Sequence, residues 1–218
     1  MTTLLRVDTS VRTEGSTSRA VADTAEHAWQ QANPEGSVVR RDLGVAPLPV
    51  EAWSLAMGAG YTPAEARTAE QREGVALSGV VGDELIDADS LILASPLYNF
   101  GVNQYTKAWI DLLITHPRLG PGSEVLKGKP ALLVVAQSGG YREGTPRHGW
   151  DHATAYLERI LRDNFGMDLR TVIADLTLAA TNPAMTDLVG IAEQSLKTAH
   201  TDATRHGGDL AARLHEAA

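Results

Sequence analysis

The sequence predicts an α/β fold of the doubly wound kind, a five-stranded parallel sheet with helices on both faces. Three observations predict it. Short apolar runs alternate with helical patterns along the chain, in the order β-α-β-α-β-α-β-α-β-α. The run Ala131-Leu132-Leu133-Val134-Val135-Ala136 has no polar member, so both its faces need cover, as central strands of a parallel sheet do. Five strands in 218 residues also fit a smaller doubly wound sheet better than a six-stranded dinucleotide fold.

The elements follow in order. Residues 4–7 form a short apolar strand that stops at Asp8-Thr9-Ser10. A helix is expected over 18–33, with Ala20, Val21, Thr24, Ala25 and Ala28 on one face, broken by Pro34-Glu35-Gly36. Residues 37–43 read as a half-exposed strand, and 44–62 as a Pro- and Gly-containing loop. A helix over 63–86 places Pro63 in the first turn, although Gly74, Gly79 and Gly82 weaken it. Residues 90–94 are a buried strand ending in the turn Ser95-Pro96. Then come a helix over 103–114, the strand 131–136, a helix over 151–164, a strand over 169–176 and a long helical region over 183–214. One domain spanning 1–218 is expected, with the terminal helical region as an extended tail.

Composition removes several classes of function. The chain has no cysteine, which excludes disulfides, thiolate nucleophiles, thiolate zinc sites and iron–sulfur clusters. Its formal charge of −8 argues against a nucleic-acid partner, because neutralising phosphates needs clustered Lys and Arg. No apolar run approaches the ~18 residues of a membrane span. Residues 1–8 lack the basic and apolar segments of a signal peptide, so a cytoplasmic protein with no membrane partner is expected.

In a sheet of this type ligands bind beyond the carboxyl ends of the strands. Three unusual loops fall there. The first, residues 10–18, carries hydroxyls at Ser10, Thr13, Ser16, Thr17 and Ser18 before a helix. Free N–H groups and the positive end of the dipole suit a phosphate there. The loop has neither the G-x-G-x-x-G pattern nor a Gly-Lys-[Ser/Thr] ending, so a single phosphate monoester fits better than a pyrophosphate or triphosphate. Simple helix capping is the plainer reading. The second loop, Ser95-Pro96-Leu97-Tyr98-Asn99-Phe100-Gly101, sets aromatics beside an amide that can pair with a heteroaromatic edge. The third, Gln137-Ser138-Gly139-Gly140-Tyr141, has paired glycines that let backbone approach a ligand.

With these residues in order, the sequence resembles the FMN-dependent NAD(P)H azoreductases and quinone reductases of the flavodoxin-like superfamily. Pro96-Leu97-Tyr98-Asn99-Phe100 matches the family's Pro-Met-Tyr-Asn-Phe, and Lys107 and Asp111 match its following helix. Arg41-Asp42-Leu43, Pro47-Leu48-Pro49, Gly128-Lys129 and Gly139-Gly140 support it, and the likeness covers roughly residues 4–180. The resemblance implies a flavodoxin-like fold and FMN as cofactor, with NADH or NADPH as donor. It implies a quinone or azo-type acceptor, ping-pong hydride transfer through flavin N5, and a homodimer with its flavin sites at the interface. It assigns Ser10, Ser16, Thr17 and Ser18 to the phosphate. Pro96, Leu97, Tyr98, Asn99 and Phe100 fall beside the isoalloxazine, and Gln137, Ser138, Gly139 and Gly140 at its pyrimidine side. Two departures stand out. Ser138 occupies the position where the family carries an arginine, and residues 115–123 lack the family's aromatic segment, so an aromatic wall is missing or supplied elsewhere.

No acid–base dyad is evident; Asn99, His148 and Tyr141 are the candidates for any direct catalytic role. His148 and His152 have a metal-ligand spacing, but Gly149 intervenes and no third ligand joins them, so no metal is expected. Lys107 and Asp111 read as a helix-surface ion pair and Trp109 as packing or a subunit contact. Trp53 and Tyr61 read as loop anchors or as residues reaching over a partner's site. Two rivals remain: the same fold serving one biosynthetic substrate, and a non-enzymatic carrier or binding module.

Overall fold

The structure, a computed structural model, describes the backbone of residues 2–216 and the side chains of residues 2–210. Strands β1 (Thr3–Asp8), β2 (Ser37–Asp42), β3 (Ser90–Tyr98), β5 (Pro130–Ala136) and β6 (Asp168–Ala174) form one sheet in the order β2-β1-β3-β5-β6. All four pairings are parallel. A two-residue strand, β4 (Gly101–Val102), turns back antiparallel onto the end of β3.

The alternation of β5 divides the core. Ala131, Leu133 and Val135 join the layer beneath α2 (Ala52–Gly60), α3 (Ala69–Asp87), α4 (Gln104–Ile114) and α5 (Thr154–Glu158). Leu132 and Val134 join the layer beneath α1 (Thr17–Ala32) and α6 (Val189–Glu216). Every residue of β5 is buried, and each such Leu or Val contributes roughly 1.5–3 kcal/mol relative to exposure.

Several boundaries differ from the sequence reading, each for a local reason. The segment 44–62 contains helix α2, and Pro63 does not open the next helix but precedes a single 3-10 turn, Ala64–Ala66. Helix α3 starts at Ala69 because Thr68 and Gln71 form a reciprocal capping box. Two of its glycines are places of close approach. A Cβ on Gly74 would lie 2.8 Å from the Leu55 Cβ of α2, and one on Gly82 would lie 2.5 Å from the His116 ring. Strand β3 continues past Pro96, since β1 ends at Asp8 opposite Ala94 and Pro96 pairs only with β5. Helix α5 begins at Thr154 rather than 151 and runs into a π-helical stretch, Arg159–Asn164.

The terminal region is not an appendage. After a 3-10 stretch, Pro183–Leu188, α6 lies along α1 as the outer half of the second layer. Gly207 makes that contact close: a Cβ there would fall 2.1 Å from the Ala25 carbonyl oxygen. Among the described residues, no helix is long and apolar enough to cross a membrane.

Candidate functional site

At the carboxyl ends of β1, β3 and β5 lies a cavity of about 550 Å³. Ser10, Ser16, Thr17 and Ser18 line it from the first loop, Pro96, Leu97, Tyr98 and Asn99 from the second, and Ser138 from the third. Sequence reasoning missed Val11, Arg12, Ala136, Gln104 and Tyr105 at the start of α4, and Thr177 and Leu178 after β6. Extending the carboxyl-end rule to the last strand would have pointed to the last two.

The first loop ends in an anion-ready terminus. Ser16 caps α1 with extended backbone, but its hydroxyl makes no capping hydrogen bond and lies 3.3 Å from the Ser18 hydroxyl. The first turn of α1 has no acidic residue. That turn, whose N–H groups lack intrahelical acceptors, thus lines the cavity with no acidic residue of its own. Tyr98 joins the loops: its hydroxyl accepts from the Val11 N–H at 3.3 Å and lies 3.4 Å from the Ser10 hydroxyl. Beneath the loop, buried Arg6 donates to Asp8 at 2.9 Å, Asp23 at 2.5 Å and Glu26 at 3.0 Å. Burial pushes the Asp8 carboxyl above its ordinary value, against the pull of Arg6 and Arg19.

The second loop is a tight hairpin. Tyr98 pairs with Gly101, leaving Asn99 and Phe100 as its two central residues, with φ of 49° and 66°. A two-residue reversal with both φ values positive is the type I′ pattern. Asn tolerates it, whereas a bulky residue there is strained by roughly 1–2 kcal/mol. The Phe100 ring is held in place by its neighbours. Trp150 and Tyr141 meet it edge-on at 5.1 and 5.9 Å, and the Arg147 guanidinium sits 5.7 Å from its centroid. The Phe100 carbonyl accepts from the His152 N–H at 2.9 Å. The ring thus faces residues 141–152, not the cavity lining. Asn103, which the sequence reading passed over, fixes the hairpin base: its amide donates to Thr9, Ser95 and the Pro96 carbonyl at 3.0–3.1 Å, and its oxygen caps α4.

In the third loop the paired glycines lie close to the chain's own side chains. A Cβ on Gly139 would meet the Tyr141 hydroxyl at 3.3 Å, and one on Gly140 would meet Thr145 at 3.1 Å. Neither glycine lines the cavity. Gln137 turns away to donate to Asp151 at 2.6 Å, and with Tyr141 it faces a separate cavity of about 590 Å³ beside α6. Tyr141 is buried, its hydroxyl 3.2 Å from that of Ser138. Of the three catalytic candidates only Asn99 lines the first cavity. His148 is exposed and, with His152, precedes α5, so the two share no helical face. Among the described residues, no group of three or more His, Asp or Glu is arranged to hold a metal ion. Lys107 and Asp111 are paired on the outside of α4, and Trp109 is fully buried in the core.

The sheet is of the doubly wound α/β class, and the helix terminus and the hairpin meet at one cavity beyond its carboxyl ends, where ligands of such sheets bind. Residues 2–196 match the family described as having the flavodoxin-like fold, and the chain belongs to that family. It is 38% identical over 221 residues to an FMN-dependent NADH:quinone oxidoreductase of Frankia alni, covering all of both chains. It is 35% identical over 218 residues to a protein of the same name from Streptomyces coelicolor, covering 98% of this chain and 97% of the relative. An azoreductase from Bacillus anthracis superposes with a TM-score of 0.78 at 22% identity, over 96% of this chain and all of the other. At that identity the likeness is one of fold.

Proposed function

We propose that this chain is an FMN-dependent oxidoreductase that uses NADH or NADPH to reduce quinone or azo-type acceptors, by ping-pong turnover at one cavity. The observation that carries the reading is the junction of the Ser16–Thr17–Ser18 helix terminus and the Tyr98–Asn99 hairpin on one cavity of about 550 Å³. The residues fit the group. The terminus offers donors with no acidic residue in its first turn, the hairpin offers Leu97 and Tyr98 beside the Asn99 amide, and the volume lies in the range of cofactor pockets. When bound, FMN supplies the hydride chemistry.

The chain's own residues bind and orient. Ser16, Thr17 and Ser18 hold the phosphate together with the N–H groups of α1. Leu97, Tyr98 and Asn99 would position the ring system, to which the Asn99 amide could offer a donor and an acceptor. Ser138, which also lines the cavity, would offer the bound group a neutral hydroxyl in place of a cation. No side chain is required as a general acid or base. The chain functions as a cytoplasmic single-domain homodimer: Trp53, Met57 and Tyr61 recur every fourth residue along and just beyond α2, all exposed, and this stripe supports contact with a second copy.

Two measurements test the reading. Purified protein incubated with FMN and freed of excess should keep a flavin absorption spectrum. With NADH and a simple quinone it should oxidise the nicotinamide, giving parallel double-reciprocal lines. A colourless protein that leaves NADH untouched would overturn it.

A further inference from the structure

Arg19 is the third residue of α1, and its side chain turns back under the loop that precedes the helix. Nη1 and Nη2 grip the Asp42 carboxylate as a fork, at 2.6 and 2.7 Å. Nη2 also donates to the Ser10 carbonyl at 2.8 Å, and Nε to the Arg12 carbonyl at 3.0 Å. Asp42 in turn accepts from the N–H groups of Gly44 and Val45, each at 3.1 Å. The contact is close enough that a Cβ on Gly44 would fall 1.9 Å from the Ser10 carbonyl oxygen. The guanidinium is thus committed to two loop carbonyls and the Asp42 carboxylate, with Asp8 3.9 Å away.

In a planar trans peptide the C=O and the following N–H point in opposite directions. Holding the carbonyls of Ser10 and Arg12 on Arg19 therefore turns the N–H groups of Val11 and Thr13 away from it. The Val11 N–H accordingly reaches the Tyr98 hydroxyl at the cavity wall. We propose that Arg19 is the positioning residue of the phosphate end. It acts by keeping carbonyl oxygens off the face that meets the anion, not by touching the phosphate. Its charge is matched by Asp42, so attraction for the anion comes from the helix terminus. The inference rests on the reading of the cavity as an FMN site.

The test compares FMN with riboflavin, which lacks only the phosphate, by fluorescence titration of the wild-type protein, Arg19→Lys and Asp42→Asn. Arg19→Lys keeps the charge but loses the planar fork. Positioning predicts that it weakens FMN binding by roughly tenfold, the scale of one lost charge-assisted contact, and leaves riboflavin binding as it was. Asp42→Asn frees the guanidinium and adds positive charge near the anion. Positioning predicts weaker FMN binding; direct phosphate contact predicts equal or tighter binding. Full FMN affinity in Arg19→Lys, equal or tighter FMN binding in Asp42→Asn, or equal losses for FMN and riboflavin would overturn the proposal. A wild-type protein that binds FMN no better than riboflavin would instead overturn the cofactor reading, and this inference with it.

Discussion

The two ends of the cavity are held by different physics. At the phosphate end the backbone is fixed by charge: Arg6 and Arg19 bridge Asp8, Asp23, Glu26 and Asp42, and two loop carbonyls are gripped directly. At the hairpin end the backbone is held by aromatic contact, with a strained Phe100 under Trp150, Tyr141 and Arg147. The first arrangement is directional and mostly buried, so it suits a group that must sit in one place. The second leaves Trp150 nearly half exposed and rests on weaker contacts, so it can vary without undoing the loop below. Cofactor affinity should therefore respond to the first end and acceptor choice to the second.

The sharpest way to break that division is Gly44→Ala. The added Cβ must displace the Ser10 carbonyl, and overpacking of this kind costs about 1–3 kcal/mol. Urea denaturation should show that loss, and FMN titration should show affinity falling by more than tenfold; wild-type FMN affinity would sink the account of the phosphate end. Trp150→Ala comes next. An edge-on aromatic pair is worth about 0.5–1.5 kcal/mol. Its loss should change the quinone KM severalfold in steady-state assays while the FMN dissociation constant stays put. A smaller effect separates strain from packing within the hairpin. Phe100→Gly loses the ring but relieves the positive φ, whereas Phe100→Ala loses the ring and keeps the strain. The glycine variant should be the more stable of the two by about 1 kcal/mol in thermal or urea melts. Equal stability would mean that Phe100 is not strained.

The fold was legible because β5 reads as an uninterrupted apolar run and the alternation with helices leaves few topologies. The three loops were legible as well, since a carboxyl-end rule needs only strand positions. What stayed hidden depends on contacts between distant segments. Helix α2 is short and apolar and its flanks hold prolines, so its pattern looks like a loop until α3 packs on it through Gly74. Phe100 carries the family motif, yet its backbone conformation turns the ring toward residues 141–152. Gly139 and Gly140 also lie close to Tyr141 and Thr145, a contact that no local pattern shows. Arg19 carries no signal in the sequence, because nothing local indicates that its partner is Asp42 at the end of the adjacent edge strand.

The smallest expected effect concerns pH at the Arg19–Asp42 pair. The fork from Arg19 holds the Asp42 carboxyl below its ordinary value, and the Val45 and Gly44 N–H groups act in the same direction. A carboxylate depressed by folding adds stability above its unfolded pKa of about 3.9, and that stability is lost as pH falls through the lower folded value. Asp42 is about one-third exposed, its side chain at 35%, so solvent screening keeps the contribution below roughly 1 kcal/mol. The stability difference between wild type and Asp42→Asn, followed by urea melts of the flavin-free protein, should therefore hold steady from pH 7 to about pH 4 and shrink below that. Using flavin-free protein removes the titration of the cofactor's own phosphate, whose second ionisation lies near pH 6. A difference that already declined between pH 6 and 5 would show that the fork does not hold Asp42 ionised. The charge-based account of the phosphate end would then lose its anchor, whatever the hairpin variants do.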